Sequence, residues 1–313
     1  MDLELTDEQR MVSEGVRTIL ERMAGPDRCR VLLEEGAYDT ALEKVLWDQG
    51  YLGMFSDPDA GPLEAVLMVE QVAKALGTVA TGALAVVAPA LGIPELRGPV
   101  GLSRTPPRDD APVRFATAPG FLVMPVEGEA FLCEIDGAQQ LPMSWSYPAA
   151  RVTIGSRRSL GPGSADRMMA WWRITIATEI VGNASACLDV LLGHIKERYQ
   201  FGRSLATLQA LQHRLAQLFV QIEGSRWLAY RAAWSGAPSV EAALAAAHSV
   251  AAGRRTVREC HQICGALGLT TEFDLHMWSM RIRALCGEAG GVFATQVDAG
   301  RSRWRPAGSL VAT

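Results

Sequence analysis

Apolar residues recur at helical spacing over most of this chain. Thr6 and Gln9 have the spacing of a capping box, and Met11, Val12, Val16, Ile19 and Leu20 follow as one stripe. A second helix is predicted from about Thr40 to Asp48, stopped by Gly50, with the run from Leu46 to Met54 turning into an apolar loop. Pro62 suits the first position of a third helix, which carries Val66, Met68, Val69 and Val72 and ends near Gly77. The period then changes. Between Gly98 and about Gly163, Pro and Gly are frequent, and residues 113–116, 121–124, 130–133 and 151–154 read as short strands. From Ser164, with Asp166 in the first turn, the row Met168, Trp172, Ile176, Ile180, Leu188, Leu191 and Leu192 steps mostly by four until Arg198. Further helices are predicted from about residue 205 to 234, from 240 to about 264 (alanine-rich, so that neighbours approach closely) and from 271. Long helices joined by short turns make a bundle. The predicted fold class is mainly α with a small β insert: an N-terminal helical domain at 1–93, a reduced middle β domain at 94–163 and a C-terminal helical bundle domain at 164–313.

Composition narrows the function classes. At 313 residues and 49% hydrophobic, the chain can bury a substantial core. Its net charge is −4 and, apart from the short Arg301-Ser302-Arg303-Trp304-Arg305, it has no basic stripe, which disfavours nucleic-acid binding. The run from Ala75 to Pro94 is uncharged but rich in Ala, Gly and Thr and carries Pro89, so it reads as core helix plus turn rather than a membrane span. The acidic start lacks a secretory signal, and the six scattered cysteines read as reduced, buried thiols of a cytoplasmic protein. Cys260, His261 and Cys264 lack the C-x-x-C spacing and a second ligand pair, so no metal is expected. Neither a nucleophile elbow nor a P-loop is present.

Two stretches carry candidate chemistry. Arg198 ends one long helix, Phe201 and Gly202 follow, and Gln209 and Gln212 lie in the first turns of the next helix. A cation at a helix C-terminus is favoured by the dipole alone, by about 0.3–1 kcal/mol. A guanidinium, an aromatic face and an amide together also suit a pyrophosphate and a heteroaromatic ring. Gln262 precedes Gly265 and Gly268, which serve equally as a helix C-cap or as a point of close backbone approach to a phosphate or ribose.

Taken in order, these pieces resemble the acyl-CoA dehydrogenase family. The resemblance rests on Arg173 and Gly182 in the long helix, on Arg198, Phe201 and Gly202 as R-x-x-F-G, on Gln209, and on Gln262, Gly265 and Gly268 as the Q-x-x-G-G-x-G turn. Thr271-Glu272-Phe273-Asp274-Leu275 is similar to the T-E-x-P-L stretch, with Arg281 after it. The likeness is good over 160–290, moderate over 1–77 and poor between. It implies a helix–β–helix fold that binds FAD across a subunit boundary. Arg198 and Phe201 would meet a neighbouring subunit's FAD, Gln209 its adenine side, and Gln262 with the turn of Gly265 and Gly268 its pyrophosphate. It also implies that a glutamate takes a proton from Cα of an acyl-CoA thioester, that the flavin accepts a hydride from Cβ, and that an electron-transfer flavoprotein takes the electrons.

The chain departs from the family pattern in ways that matter. Ala266 replaces the second glycine of the doublet, Asp274 replaces the proline, and the middle segment is short. The usual base position falls on Ala289 or Gly290 and the alternative one on Trp172, none of which takes a proton. Glu288 is the nearby carboxylate, with an exposed acid at a helix end as its plain reading; Glu288 and Arg173 are the catalytic candidates. Because a base must stand within hydrogen-bond reach of the proton it abstracts, two arrangements are expected. In the favoured one, the chain shares an FAD site with a paralogous subunit in a heteromer acting on fatty acyl or steroid side-chain thioesters. In the other, it is a self-sufficient homo-oligomer using Glu288. A helical scaffold without FAD is the non-enzymatic alternative.

Overall fold

The structure is a computed structural model that describes residues 4–107, 111–142, 147–200 and 202–304. Its N-terminal helices are α1 (Asp7–Met23), α2 (Pro26–Glu34), α3 (Thr40–Asp48) and α4 (Pro62–Lys74). The predicted capping box is present: Thr6 Oγ1 accepts from the Gln9 N–H at 3.2 Å and Gln9 Oε1 from the Thr6 N–H at 3.0 Å. The buried face of α1 is Val16 and Leu20, whereas Met11, expected in the stripe, is 62% exposed. Helix α2 was not anticipated; its single turn of apolar residues is too short to show a period. The uncharged run after α4 becomes a turn, a buried π-helical segment at Gly82–Val87 and the short α5 (Ala88–Ala90).

Five strands follow: β1 (Val100–Leu102), β2 (Val113–Arg114), β3 (Phe121–Val126), β4 (Glu129–Gln140) and β5 (Ala149–Pro162). They form one sheet in the order β1-β3-β4-β5-β2, with β1 parallel to β3 and the other pairings antiparallel. The ribbon of β4 and β5 is much longer than the short runs predicted, because its outer half alternates little in polarity and gives no strand signal.

The rest is helical: α6 (Ser164–Glu197), α7 (Gln209–Trp234), α8 (Ser239–Cys264), α9 (Leu275–Glu288) and α10 (Gly291–Trp304). A small hairpin, β6 (Tyr199–Gln200) and β7 (Arg203–Ser204), joins α6 to α7, with Gly202 at a φ of +74°. Ser164 does not cap α6 through its side chain; its hydroxyl instead accepts from the Ala130 N–H at 2.7 Å and pins the helix start to the sheet. Helix α6 is long and apolar enough to cross a bilayer, yet 89% of its most apolar window is buried inside the fold. Each large aliphatic side chain it buries contributes about 1.5–3 kcal/mol. At Gly182 an added Cβ would stand 2.4 Å from the Glu70 carbonyl oxygen, so α4 lies directly on α6 there. The buried Glu70 carboxylate accepts from Arg226 Nε at 2.9 Å and from Tyr230 OH at 2.7 Å, tying α4 to α7. Arg281 on α9 is fully buried and donates to the Gly77 carbonyl at 2.9 Å and to Thr78 Oγ1 at 3.0 Å. The residue that the sequence placed after the T-E-x-P-L-like stretch is thus a strut between the bundle and the N-terminal helices.

Candidate functional site

The direction of each bundle helix decides which predicted residues meet. Arg226 on α7 donates to Ser185 Oγ on α6 at 2.8 Å. Between α7 and α8, Ser225 Oγ meets His248 Nδ1 at 2.8 Å and Arg255 donates to Gln217 Oε1 at 2.6 Å. The partner numbers rise on one helix as they fall on the other, so α7 runs against α6 and α8. Cys260 donating to the Cys187 carbonyl, and Gly253 abutting Ile180, show α6 and α8 running parallel. The end of α6, the start of α7 and the end of α8 therefore lie at one end of the bundle.

That end holds Arg198, the C-cap of α6; Gln209, the first residue of α7; Gln262, in the last turn of α8; and Gly265, its C-cap. The Arg198, Gln209 and Gln262 side chains are exposed. Gly265 has a φ of +62° with open space where a Cβ would point, so its backbone is approachable. Gly268 serves packing instead: it is buried, and a Cβ there would stand 2.9 Å from Cys264 Cβ. Gln212 is exposed and donates through Nε2 to the Ala206 carbonyl at 2.8 Å. Phe201 lies outside the described residues.

A second group lies about 28 Å away, from nineteen residues of α6 at 1.5 Å each. Here a cleft of about 460 Å³ opens between the sheet and α9, lined among others by Leu102, Arg104, Arg114, Tyr147, Ala284 and Glu288. Arg114, on the two-residue β2, bridges two carboxylates. Its Nη1 stands 2.8 Å from Glu179 Oε2 on α6, and its Nε donates to Glu288 Oε2 at 3.0 Å. Trp172 Nε1 donates to the other Glu288 oxygen at 3.2 Å. Glu288 is therefore not the exposed acid that its helix-end position suggested; both of its oxygens are engaged. The Tyr147 ring lies between two guanidinium groups, with Arg114 at 4.7 Å and Arg281 at 4.4 Å from its centroid.

The electrostatics follow from burial. Desolvation pushes the Glu179 carboxyl above its ordinary range, against the pull of Arg114. Burial likewise pushes the Tyr147 phenol up to about 12, opposed by Arg281. For Arg114 burial favours loss of the proton, but Glu179 and Glu288 outweigh it and hold the guanidinium charged. Gly290, at a φ of +88°, has an Arg104 nitrogen 3.1 Å from where its Cβ would stand. Arg173 belongs to this end as well, paired with Asp298 of α10 at 3.2 Å.

Sequence reasoning named Glu288 and Arg173 here but missed Arg114, Glu179, Tyr147 and Arg104. One signal was available: Glu179 is the lone charge between Ile174 and Leu188 in an otherwise apolar stretch, and a buried charge needs a partner.

Residues 161–291 match the family model described as acyl-CoA dehydrogenase, C-terminal domain. The acyl-CoA dehydrogenase IpdE2 of Mycolicibacterium smegmatis is 28% identical over 302 residues, covering 88% of this chain and 93% of that protein. Among solved structures, the Tcur3481-Tcur3483 steroid ACAD G363A variant superposes with a TM-score of 0.81 at 22% identity, covering 95% of this chain and 98% of that one. The ChsE4-ChsE5 complex from Mycobacterium tuberculosis superposes with a TM-score of 0.81 at 20% identity, covering 98% and 100%. Residues 161–291 thus match the C-terminal domain of the acyl-CoA dehydrogenase family, and the chain has the fold of these acyl-CoA dehydrogenase structures.

Proposed function

We propose that this chain is a subunit of an FAD-dependent dehydrogenase that acts at Cα–Cβ of an acyl-CoA thioester, fatty acyl or steroid side chain, and that it completes an FAD site belonging chiefly to a paralogous partner. The observation that carries this reading is the state of the chain's own base position. Ala289 and Gly290 have no proton acceptor, Arg104 stands against Gly290, and both oxygens of Glu288 are held by Arg114 and Trp172. A carboxylate so engaged must break an ion pair before it can take a proton from carbon.

The bundle end, by contrast, fits part of FAD. Arg198 and Gln262 are exposed donors, and the Gly265 turn leaves its backbone open, a donor set suited to a pyrophosphate. When bound, FAD supplies the hydride acceptor of the reaction. In this arrangement Arg198 and Gln262 hold the phosphates and Gln209 lies toward the adenine. The groups about 28 Å away serve the chain's own cleft, so the two sets belong to different flavin positions of an oligomer. Support for pairing also comes from the solved neighbours, two of which are named as pairs of proteins. Electrons would leave through an electron-transfer flavoprotein, and the cytoplasm is the expected compartment.

The second reading, a homo-oligomer with Glu288 as base, is kept alive by the position of Glu288 in the cleft wall. Turnover of the assembled enzyme carrying Glu288→Gln separates the two. Activity close to that of the parent enzyme is expected. Loss of turnover with flavin content and oligomeric state intact would make Glu288 the base.

A further inference from the structure

Helix α10 is inverted: its small side chains face the fold and its large ones face water. Thr295 and Ala299 are buried, with Ala299 packed on Ala243 and Ala247 of α8. Phe293 and Trp304, in contrast, are 81% and 78% exposed. With the half-buried Val297 and Gly300 they stand three or four positions apart, so the four share one stripe about 16 Å long. A helix on the outside of a fold ordinarily turns such residues inward. The one acid of the helix, Asp298, is paired with Arg173 of α6 at 3.2 Å, while Arg301 and Arg303 add positive charge to its last turn.

Beside this stripe opens a groove of about 680 Å³ between α8, α9 and the start of α10. Val292, next to Phe293, and Ile282 line it, and Arg254, Arg255, Arg258 and Arg283 stand around it. Little on the protein neutralises these cations. Arg258 donates to Glu259 at 3.1 Å, a carboxylate already paired with Arg214. Arg255 donates to the neutral Gln217, and its buried Nε has no hydrogen-bond partner among the described residues. Arg254 and Arg283 are exposed and form neither a hydrogen bond nor an ion pair among the described residues. In a chain of net charge −4, this is a local field of the opposite sign. Arginine, tryptophan and phenylalanine around an apolar floor are the residues that carry binding energy in protein interfaces. The uncompensated guanidinium groups specify a partner of complementary, acidic charge. A second copy meeting this face across a two-fold axis would set arginine against arginine.

We infer that the outer stripe of α10 and the arginine groove dock an acidic and apolar segment of the paralogous subunit, and that this charge selects that subunit over a second copy of this chain. The acidic chemistry stands on the surface alone, while the identity of the partner rests on the heteromer reading. Sedimentation velocity of the full chain, alone and co-expressed with each paralogous acyl-CoA dehydrogenase subunit of its source organism, tests it. Arg254→Glu combined with Arg283→Glu should weaken the heteromer at least about tenfold, as should Phe293→Ser combined with Trp304→Ser. Salt should weaken the parent assembly more than the charge-reversed one, because its attraction is screened. Arg17→Glu, an exposed cation on α1, should leave assembly unchanged. Thermal unfolding of the free chain should be indifferent to the two serines; a lowered midpoint would show that the chain itself covers this face and would overturn the inference. A heteromer indifferent to both double substitutions would overturn it while leaving the heteromer reading intact. A parent chain that joins no paralogous subunit would remove both. Self-association of the parent that either double substitution abolishes would make the occupant a second copy and refute the acidic partner.

Discussion

Replacing Arg114 by methionine removes the cation from between Glu179 and Glu288 while keeping an apolar stem of similar length. Both carboxylates are largely sequestered, with side-chain exposures of 6% and 20%, so their charges are poorly screened. Removing one partner of a buried ion pair costs about 3–5 kcal/mol, because the charge left behind stays desolvated. With urea dependence of about 3 kcal/mol per molar for a chain this size, the unfolding midpoint should fall by about 1–2 M at pH 8. The pH dependence carries the sharper test. Burial already raises the Glu179 carboxyl above the ordinary carboxylate range, and loss of Arg114 raises it further. A carboxyl whose folded pKa exceeds its unfolded value favours the fold at low pH and loses that contribution as pH rises through the folded pKa. The deficit of Arg114→Met should therefore shrink between pH 8 and pH 5, as Glu179 takes up a proton. Adding Glu179→Gln to Arg114→Met should restore much of the loss at pH 8. Urea titrations of the parent, single and double variants at the two pH values measure this directly. A deficit that is constant or grows on acidification, or a double variant no more stable than the single one, would refute the reasoning.

Three other outcomes are expected. Gly182→Val drives a side chain into the Glu70 carbonyl of α4, and thermal unfolding should report a loss of about 1–3 kcal/mol or failure to fold; a stability equal to the parent would contradict the close approach. Glu70→Gln removes the buried carboxylate shared by Arg226 and Tyr230, and because Arg226 keeps Glu223 the loss in urea titration should be about 1–3 kcal/mol, whereas a change near zero would show that α7 does not depend on this tie. All six thiols are buried, and burial pushes Cys260 up to about 12 and Cys264 and Cys286 up to about 11. A colorimetric disulfide reagent at neutral pH should thus label the native chain slowly and label six thiols after urea unfolding; rapid labelling of the native protein would contradict that burial.

The bundle was legible because its helices are long. The row from Met168 to Leu192 repeats often enough for its period to exceed any local noise, and the Thr6 box, Gly50 and Pro62 mark ends by their own backbone chemistry. α2 and α10 were not, since one has too few turns and the other a mixed face. The cleft was harder still. Arg114 sits in a two-residue strand whose neighbours in space, Glu179 and Glu288, are far away along the chain, and no local pattern links them. Glu288 was found from its place near the family's base position, but its engagement by Trp172 and Arg114 depends on how the sheet docks on the bundle. The bundle-end residues were found from spacing, and the opposed direction of α7 relative to α6 and α8 explains why positions so distant in sequence share one end.

The flavin content of the protein purified alone and co-expressed with a paralogous acyl-CoA dehydrogenase subunit tests the central claim most directly, with Arg198→Ala as the internal comparison. Flavin absorbance confined to the co-purified assembly, and diminished there by Arg198→Ala without loss of assembly, is the result this structure predicts. A full complement of flavin on the chain alone, or an assembly whose flavin is untouched by Arg198→Ala, would contradict it.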